Sequence, residues 1–412
     1  PAPTPTATEE PAGTGGTGVT VLINGKEESA GTASTSTRNG QSVTTVTVDP
    51  EKVEARLAEE GLNAVVTIPV PSGSDVVVGE LNGRIVKSMA DRQALLEIRT
   101  ERATYTIPAE QFDIGAISEE LGALDALADI KVRVEIGQPP AETVQMIENA
   151  AADGTYAIVV PPVEFTVRAE YEGRSVEMAK FTAYVERAIA IPDGVDPDRI
   201  TTGVVFDEDG TPRHVPTKIV VIDGKYYAVI SSLTNSAYGV VWNPVEFDDM
   251  ASHWAKDTVN NTGSRMIIAG TGEGRFSPDR HITRAEFAAM IVRALGLGAS
   301  SGPSAFTDVK ESDWFSGAIR TAVEYGLLSG YADGAFRPND KITREQAMVI
   351  LARAMTVTGL KDRLTGGLAE DVLGAFTDAD QASAWAIQGI ADSVTAGIVQ
   401  GRDERTLAPQ AF

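Results

Sequence analysis

Hydrophobic and polar positions alternate in two different ways along the 412-residue chain. Between residues 18 and 245, short apolar runs alternate with polar residues and end at turn signals such as Glu172-Gly173 and Asp223-Gly224, which is typical of β-strands and hairpins. After residue 246, apolar residues recur at intervals of three and four, the periodicity of an amphipathic helix. The pattern predicts a multidomain chain, with β-rich modules (a β-sandwich or an α+β fold) followed by an all-α part.

Composition divides the first part further. Residues 1–17 are rich in Pro, Thr and Gly and are predicted to be a linker, which indicates a segment upstream of it. Residues 18–190 are expected to form an α+β region of one or two modules, and residues 191–245 a β module that continues it. Helices are expected at 53–60, 117–128 and 141–151, and strands at 19–23, 42–48, 65–70, 76–78, 95–98, 104–107, 131–136, 156–160, 164–171, 176–185, 202–206, 218–222, 226–230 and 237–242.

The last 166 residues contain two complete copies of one sequence repeat and the first part of a third copy. Each copy opens with Phe-x-Asp and reaches a tryptophan, which is followed 16 residues later by a glycine and 24 residues later by a proline. Such a repeat predicts equivalent supersecondary units that bury their apolar faces against one another. The copies are placed at residues 246–298, 305–360 and 375–412, with Trp254, Trp314 and Trp385, Gly270, Gly330 and Gly401, and Pro278, Pro338 and Pro409 in register.

The proline of the first two copies precedes a helix start. Thr283 and Glu286, and likewise Thr343 and Gln346, have the spacing of a capping box, in which each side chain bonds to the backbone of the other residue. The apolar stripes that follow predict one helix after each box, and an earlier helix is expected near each tryptophan.

An arginine lies just inside each predicted cap, at Arg284 and Arg344. A helix N-terminus has unpaired N–H groups and a partial positive charge, so an anion is favoured there and a guanidinium adds a bidentate donor. The alternative is a solvated arginine on the first turn. Recurrence of the arginine at the same cap favours the anion site.

These motifs resemble the S-layer homology module. The segment Gly330-Tyr331-Ala332-Asp333-Gly334-Ala335-Phe336-Arg337-Pro338, followed by Ile342-Thr343-Arg344, is a close match to it. The resemblance implies a pseudo-threefold helical bundle that anchors surface proteins non-covalently to the Gram-positive envelope. Its implied partner is an anionic secondary cell-wall polysaccharide, in many cases pyruvylated. The β-rich half looks like the spacer regions that precede such modules.

The resemblance also implies which residues bind the glycan. It assigns ligand binding to Arg284 and Arg344, with support from the capping residues Thr283, Glu286, Thr343 and Gln346. The third copy stops at Phe412, before a second capped helix, so the groove that this helix would line is in doubt. Further groove residues are expected at Trp254, Trp314, Trp385, Gly270, Gly330, Tyr331, Gly401 and Arg402.

Charge and composition limit the partners. The chain has a net charge of −23, of which −5 falls after residue 246 and −18 before it. An acidic balance disfavours nucleic acid, and no run of 18 apolar residues predicts a membrane span. The absence of cysteine is compatible with an exported protein. Together with the repeats, this predicts a location at the cell surface, in the cell wall or S-layer, with other copies of the protein as a second class of partner.

No catalytic constellation is apparent. His214, His253 and His281 have no partners at a catalytic spacing, and there is no P-loop, Gly-x-Ser-x-Gly or His-Glu-x-x-His. The Phe-x-Asp acids are expected to cap the first helix of each copy. We therefore predict no enzyme activity, metal or cofactor within this chain. Two alternatives stay open: a structural subunit of a surface layer, and the C-terminal tail of a surface glycan hydrolase.

Overall fold

The computed structural model describes residues 17–365 and 367–412. Of the expected linker at 1–17, only Thr17 belongs to the described residues, and it begins the first strand. The chain divides into two compact units, Pro1–Asn243 and Pro244–Phe412. The first is β-rich and the second is built from helices, which confirms the predicted order of a β-rich part followed by a helical part.

The described residues of the first unit form a hydrogen-bonded sheet of 16 strands with two parallel pairs, β3 with β5 and β4 with β6. Along the sheet the order is β13-β12-β16-β9-β8-β5-β3-β2-β1-β4-β6-β7-β11-β15-β14, and β10 pairs with β9. The strands are β1 Thr17–Ile23, β2 Lys26–Arg38, β3 Gln41–Val48, β4 Val65–Pro69, β5 Val76–Asn82, β6 Leu95–Arg99, β7 Ala103–Pro108, β8 Lys131–Gly137, β9 Ala157–Tyr171, β10 Arg174–Glu177, β11 Lys180–Ala190, β12 Thr202–Phe206, β13 Pro212–Val215, β14 Thr217–Ile222, β15 Lys225–Thr234 and β16 Ala237–Trp242.

Strand β9 runs through two prolines that the sequence pattern treated as a break between strands. Pro161 and Pro162 lie where the register with β16 shifts, between the pairs Val160–Val240 and Val163–Tyr238. A bulge leaves residues outside the regular ladder, so the missing proline N–H groups cost no ladder hydrogen bond. One 15-residue strand therefore replaces the two shorter ones expected.

Four helices of the first unit lie among these strands: α1 Pro50–Glu60, α2 Gly83–Asp91, α3 Ile114–Leu121 and α4 Ala141–Asp153. Helix α1 starts because the Asp49 carboxylate accepts from Glu51 and Lys52 N–H and a proline occupies its first position. Helix α2 was not predicted. Its start, Asn82-Gly83, has turn chemistry, yet Asn82 caps the helix through Ile85 N–H, and the buried Val86 and Met89 hold the helix in the core.

The largest fully buried side chain of the first unit is that of Arg187. Its guanidinium carbon lies 4.7 Å from the ring centre of Tyr238 and 4.8 Å from that of Tyr105. The two Nη atoms donate to the carbonyls of Val185 and Thr234 and to the side chains of Tyr105 and Asn235. Cation–π contacts and hydrogen bonds thus hold a buried cation at the centre of a core formed by aromatic rings. Burial raises the pKa of the Tyr105 hydroxyl.

The second unit has a helix just after each repeat tryptophan and a longer helix after each capping box. Helices α5, α7 and α10 each begin two residues after Trp254, Trp314 and Trp385. Gly389 lets α10 approach α8 closely, because a Cβ there would lie 2.9 Å from the Val349 side chain. The helices are α5 Lys256–Ser264, α6 Arg284–Ala294, α7 Ser316–Glu324, α8 Arg344–Val357, α9 Ala369–Leu373 and α10 Ile387–Thr395.

Candidate functional site

An aspartate anchors the turn of each repeat. The two carboxylate oxygens of Asp308 accept from the backbone N–H groups of Phe336 and Arg337, both at 2.8 Å. The expectation that the Phe-x-Asp acids cap the first helix is therefore wrong, and no side chain caps α5, α7 or α10. Equivalent bonds of 2.7–2.9 Å join Asp249 to Phe276 and Ser277, and Asp378 to Leu407 and Ala408.

The anchored turn contains a left-handed residue that is not glycine. The backbone φ is +62° at Ser277, +58° at Arg337 and +54° at Ala408. This conformation is uncommon for residues with a Cβ and is held only where the surroundings impose it. In each repeat the N–H of this residue is one of the two that the aspartate accepts, so the carboxylate stabilises the strained position directly.

The repeat glycines pack behind the turn. A Cβ on Gly330 would lie 2.2 Å from the ring of Phe306, the first residue of its Phe-x-Asp motif. The corresponding distances are 2.7 Å from Gly270 to Phe247 and 2.8 Å from Gly401 to Phe376. These glycines were predicted to line grooves, and the structure places each one against the phenylalanine ring of its own repeat.

Both capping boxes are present. The Thr283 hydroxyl accepts from Glu286 N–H, and the Glu286 carboxylate accepts from Thr283 N–H at 2.9 Å. Thr343 and Gln346 form the same pair of bonds, at 3.3 and 3.2 Å. Each box ends an extended segment and starts a helix at the following arginine, which fixes where that arginine leaves the backbone.

Arg284 is buried in the turn of the second repeat, and we call this place the Arg284 site. Its Nε donates to the Phe336 carbonyl at 3.0 Å. The guanidinium carbon lies 4.9 Å from the ring centre of Tyr331 and 4.8 Å from that of Phe336. A second guanidinium, that of Arg337, lies 4.1 Å from the Tyr331 ring, so the ring contacts two cations.

Arg344 occupies the equivalent place in the turn of the third repeat, the Arg344 site. Its Nε donates to the Leu407 carbonyl at 3.1 Å, and one Nη donates to the Gln400 carbonyl at 3.2 Å. Leu407 stands where Phe336 lies in the other site, and Arg402 stands where Tyr331 lies. Burial lowers the pKa of the Arg344 guanidinium, and the positive charge of Arg402 lowers it further.

The first N–H groups of both helices are already bonded to protein. Arg284 N–H donates to the Asp340 carbonyl and Ala285 N–H to the Pro338 carbonyl, at 2.9 and 3.0 Å. In α8, Arg344 and Glu345 donate in the same way to Ala411 and Pro409. The threonine caps take the third N–H of each helix. The expectation of free N–H groups for an anion is therefore wrong, because the turn of the following repeat uses them.

The two site arginines lack carboxylate partners. Among the described residues, Arg284 and Arg344 form no ion pair, although Arg280 pairs with Glu286 at 2.7 Å and Arg337 with Asp333 at 2.8 Å nearby. Burial lowers the pKa of Arg284 as well, but a guanidinium remains charged at any ordinary pH. Both sites thus hold a partly desolvated positive charge that no described carboxylate contacts directly.

The three tryptophans lie apart from these arginines. Trp254, Trp314 and Trp385 are 91%, 64% and 59% exposed, and within the described ranges no cation–π contact or hydrogen bond joins them to Arg284 or Arg344. Trp254 contacts His253 at 5.5 Å and Trp314 contacts Phe315 at 5.3 Å, measured between ring centres. The structure therefore presents them as surface aromatics at the helix starts.

Several residues of the sites were not predicted because they act through the backbone. The carbonyls of Phe336, Asp340, Leu407 and Ala411 accept from the helix starts, and a carbonyl leaves no signal in the sequence.

Residues three positions after each turn proline also meet. The Phe412 ring lies 5.9 Å from the His281 ring and 5.5 Å from Lys341 Nζ, which brings all three repeats together at one point.

In the described part of the chain, no group of three or more His, Cys, Asp or Glu side chains has the arrangement of a metal site. None of the described helices has the length and apolarity needed to cross a membrane.

Comparison with known proteins agrees with this geometry. Three segments, residues 246–288, 305–348 and 375–412, match the S-layer homology domain family. Each match contains the Phe-x-Asp motif and the tryptophan, and the first two also contain the capping box and its arginine.

Similar curated proteins include enzymes and surface proteins. The chain is 35% identical over 182 residues to an "Exoglucanase XynX" of Acetivibrio thermocellus, covering 44% of this chain and 16% of that protein. It is 36% identical over 165 residues to an "Amylopullulanase" of Thermoanaerobacterium thermosulfurigenes, covering 40% and 8%. It is 34% identical over 138 residues to a "Surface layer protein" of Brevibacillus choshinensis, covering 31% and 12%. The chain thus spans less than a fifth of these relatives, and the matches indicate a cell-surface or cell-wall location.

Proposed function

We propose that this chain anchors a bacterial surface protein non-covalently to the envelope by binding an anionic secondary cell-wall polysaccharide. The observation that carries the proposal is that two partly buried guanidinium groups, those of Arg284 and Arg344, lie at equivalent contacts between repeats without a direct ion pair to any described carboxylate. The match of three segments to S-layer homology domains supports cell-surface anchoring and a cell-wall polymer as the ligand. The choice of an acidic glycan rests on the arginines.

The binding step uses the donors that the protein leaves unbonded. The Nε of Arg284 is bonded to the Phe336 carbonyl, which orients the guanidinium plane, and its Nη groups have no hydrogen-bond partner among the described residues. A carboxylate on the glycan, such as the acid group of a pyruvate ketal, accepts from these donors as a charge-assisted pair. Partial burial strengthens the attraction, because less water screens the charges.

The two sites differ in the second contact that they offer a sugar. At the Arg284 site the Tyr331 ring is available for packing on an apolar sugar face, with Gln346 Nε2 donating to its hydroxyl at 3.4 Å. At the Arg344 site the second group is Arg402, a further cation. We propose that the first site selects for ring shape and the second for negative charge. The exposed tryptophans add peripheral stacking surfaces rather than groove walls.

A pseudo-threefold arrangement of the repeats remains part of this proposal. The contact among His281, Lys341 and Phe412 and the two equivalent helix-to-turn contacts support it.

A structural role in a surface layer is the second candidate function. Its support is the likeness to a protein named "Surface layer protein", over 138 residues or 31% of this chain. A role as the tail of a glycan hydrolase has the same kind of support from the relatives with enzyme names. Both are compatible with anchoring, because the shared segment is a non-catalytic anchor domain.

The test is co-sedimentation of the purified chain with bacterial cell-wall sacculi that retain their secondary polysaccharide. The Arg284→Ala/Arg344→Ala variant should bind at least about tenfold more weakly, because removing a charge from a partly desolvated pair typically costs several kcal/mol. Arg265→Ala/Arg363→Ala is the matched control, since it removes the same charge from the same unit outside the two sites, and it should bind like the parent chain.

Three results decide the proposal. Undiminished binding by the folded double variant rejects the arginine mechanism. An equal loss of binding in the control variant would mean that binding depends only on the net charge of the unit, and it also rejects the arginine mechanism. Undiminished binding to sacculi stripped of the secondary polysaccharide assigns the ligand to peptidoglycan and also rejects the proposal.

A further inference from the structure

The strand β14 ends the described sheet with an unusually apolar free edge. It pairs with β15 alone, in a regular ladder from Thr217–Ile230 to Ile222–Lys225, and the described residues provide no strand on its other side. Val221 is 58% exposed, Ile222 48% and Ile219 38%. Because consecutive strand residues point to opposite faces, both faces of this edge expose apolar side chains.

Beyond Lys218, the apolar part of this edge lacks the features that usually protect an edge strand. Proteins commonly guard such edges with proline, bulges or charges. The segment from Ile219 to Ile222 has no proline, no charged residue and no irregularity in its register. In a chain with a net charge of −23, this is a local stretch without a carboxylate. Such an edge is suited to receive another β-strand.

The turn at the end of β14 determines which backbone groups are free. Asp223 and Gly224 have φ of +51° and +79°, as in a type I′ hairpin of two residues. The residues flanking this turn bond to each other, and along the ladder alternate residues then direct their N–H and C=O groups to β15. Ile219 and Val221 therefore direct theirs outward.

The other end of β14 is covered. The Thr217 hydroxyl accepts from Gly203 N–H of β12 at 3.0 Å and donates to the Val215 carbonyl. The accessible edge thus runs from Lys218 to Ile222, and its central residue is Val220.

We propose that β14 of one chain pairs antiparallel with β14 of a second copy, across a twofold axis at Val220, to give a continuous sheet. Ile219 of each copy then exchanges two backbone hydrogen bonds with Val221 of the other, giving four in total. The cross-strand pairs join β-branched side chains, which favour such pairing.

Charge supports a second copy as the occupant. In this register Lys218 of each copy lies opposite Ile222 of the other, one residue from Asp223, so each end of the paired segment has one lysine and one aspartate. No like charges oppose one another within it. The pairing is independent of glycan binding, since β14 belongs to the first unit and both arginine sites belong to the second.

The chain has no cysteine, so single cysteines can report the pairing. The Val220 residues of the two copies lie opposite each other as a non-hydrogen-bonded pair. Their Cα atoms are about 4.5 Å apart, within the range of about 4.4–6.8 Å that a disulfide spans. Full-length Val220→Cys should form a covalent dimer under mild oxidation. It should do so at least about tenfold faster than the exposed control Ser34→Cys on β2, because pairing raises the effective thiol concentration.

A second cysteine tests the register. Ile222 lies two residues from the axis in each copy, so the two Ile222 Cα atoms are about 14 Å apart, and Ile222→Cys should cross-link no faster than the Ser34→Cys control. Sedimentation of the cysteine-free chain should show a concentration-dependent rise from its monomer mass of 43.5 kDa. Val221→Lys should abolish this rise, because a lysine replaces one of the apolar side chains at the paired edge.

Four outcomes overturn the proposal. They are equal cross-linking of Val220→Cys and Ser34→Cys, preferential cross-linking of Ile222→Cys, a monomer at every concentration measured, and a dimer that persists in Val221→Lys. Circular dichroism and a thermal melt of each variant show that the comparison is made between folded proteins.

Discussion

Arg187 in the first unit and Arg284 in the second are both buried arginines stacked on tyrosine and phenylalanine rings, but they differ in how their donors are used. Both Nη atoms of Arg187 are bonded to protein carbonyls and side chains. Arg284 bonds through Nε, and among the described residues its Nη atoms have no carboxylate to bind. Arg187, whose terminal donors are all bonded, stabilises the core around it, whereas the unused terminal donors of Arg284 are the groups that the proposed function assigns to a ligand.

The largest effect is expected at Arg187. Replacing it by methionine keeps much of the volume but removes the four hydrogen bonds of its Nη atoms and the cation that the aromatic rings surround. We expect unfolding of the first unit to become easier by about 3–5 kcal/mol, measured by urea denaturation. Binding to sacculi at a temperature where the variant is folded should be unchanged, and a loss there would contradict the structural role.

The same substitution at Arg284 should reduce sacculus binding more than stability. Arg284→Met loses one hydrogen bond to the Phe336 carbonyl, so its stability should fall by only about 1–2 kcal/mol, while sacculus binding falls clearly. Arg284→Lys keeps the charge but loses the planar fork, and it should recover only part of the binding. Full recovery by lysine would mean that charge alone suffices.

Gly330 tests the position of the turn without touching an arginine. A Cβ in Gly330→Ala would lie 2.2 Å from the Phe306 ring and 2.9 Å from the Ala335 carbonyl, so the turn must shift. We expect a loss of about 1–3 kcal/mol in a thermal melt and weaker binding at the Arg284 site. Gly367→Ala is the matched control, because its nearest neighbour would be an ordinary contact at 3.7 Å.

The smallest effect should be a pH dependence in the first repeat. Hydrogen bonds from the backbone N–H of Phe276 and then Ser277 hold the pKa of Asp249 below its usual range. A depressed folded-state pKa gives stability that is present above the unfolded pKa, near about 4, and is lost as the pH falls through the folded value. Asp249→Asn should remove this dependence from melts between pH 2 and 5 without changing sacculus binding at pH 7. An unchanged acid dependence would point to other carboxylates.

Sequence predicted the local parts of this molecule better than the distant ones. Helix α8 and its box at Thr343 and Gln346 follow from residues within one turn of each other. The contact of Arg344 with the Leu407 carbonyl joins positions 63 residues apart. Because the acceptor is a main-chain group, no sequence pattern predicts this contact. The same holds for the sheet. Most of its strands were predicted, but their order in the sheet was not. Strand β1 pairs with β4, for example, although α1 lies between them in the sequence, and such pairing depends on long-range packing.

The strand through Pro161 and Pro162 and the helix at Gly83–Asp91 show a second limit. In each, residues that usually break an element were tolerated because the bulge or the cap supplied what they lacked. The sequence pattern therefore divided the strand at the prolines and predicted no helix at residues 83–91.

The helix-to-turn contacts also bear on how such a chain can grow or shrink. Each arginine site is completed by the repeat that follows it, so the segment that forms one site runs from a capping threonine to the end of the next turn, for example from Thr283 to Asp340. That segment is out of phase with the unit of sequence duplication. Inserting a repeat into the series therefore creates one new site at a junction, and excising the middle repeat removes parts of both existing sites at once.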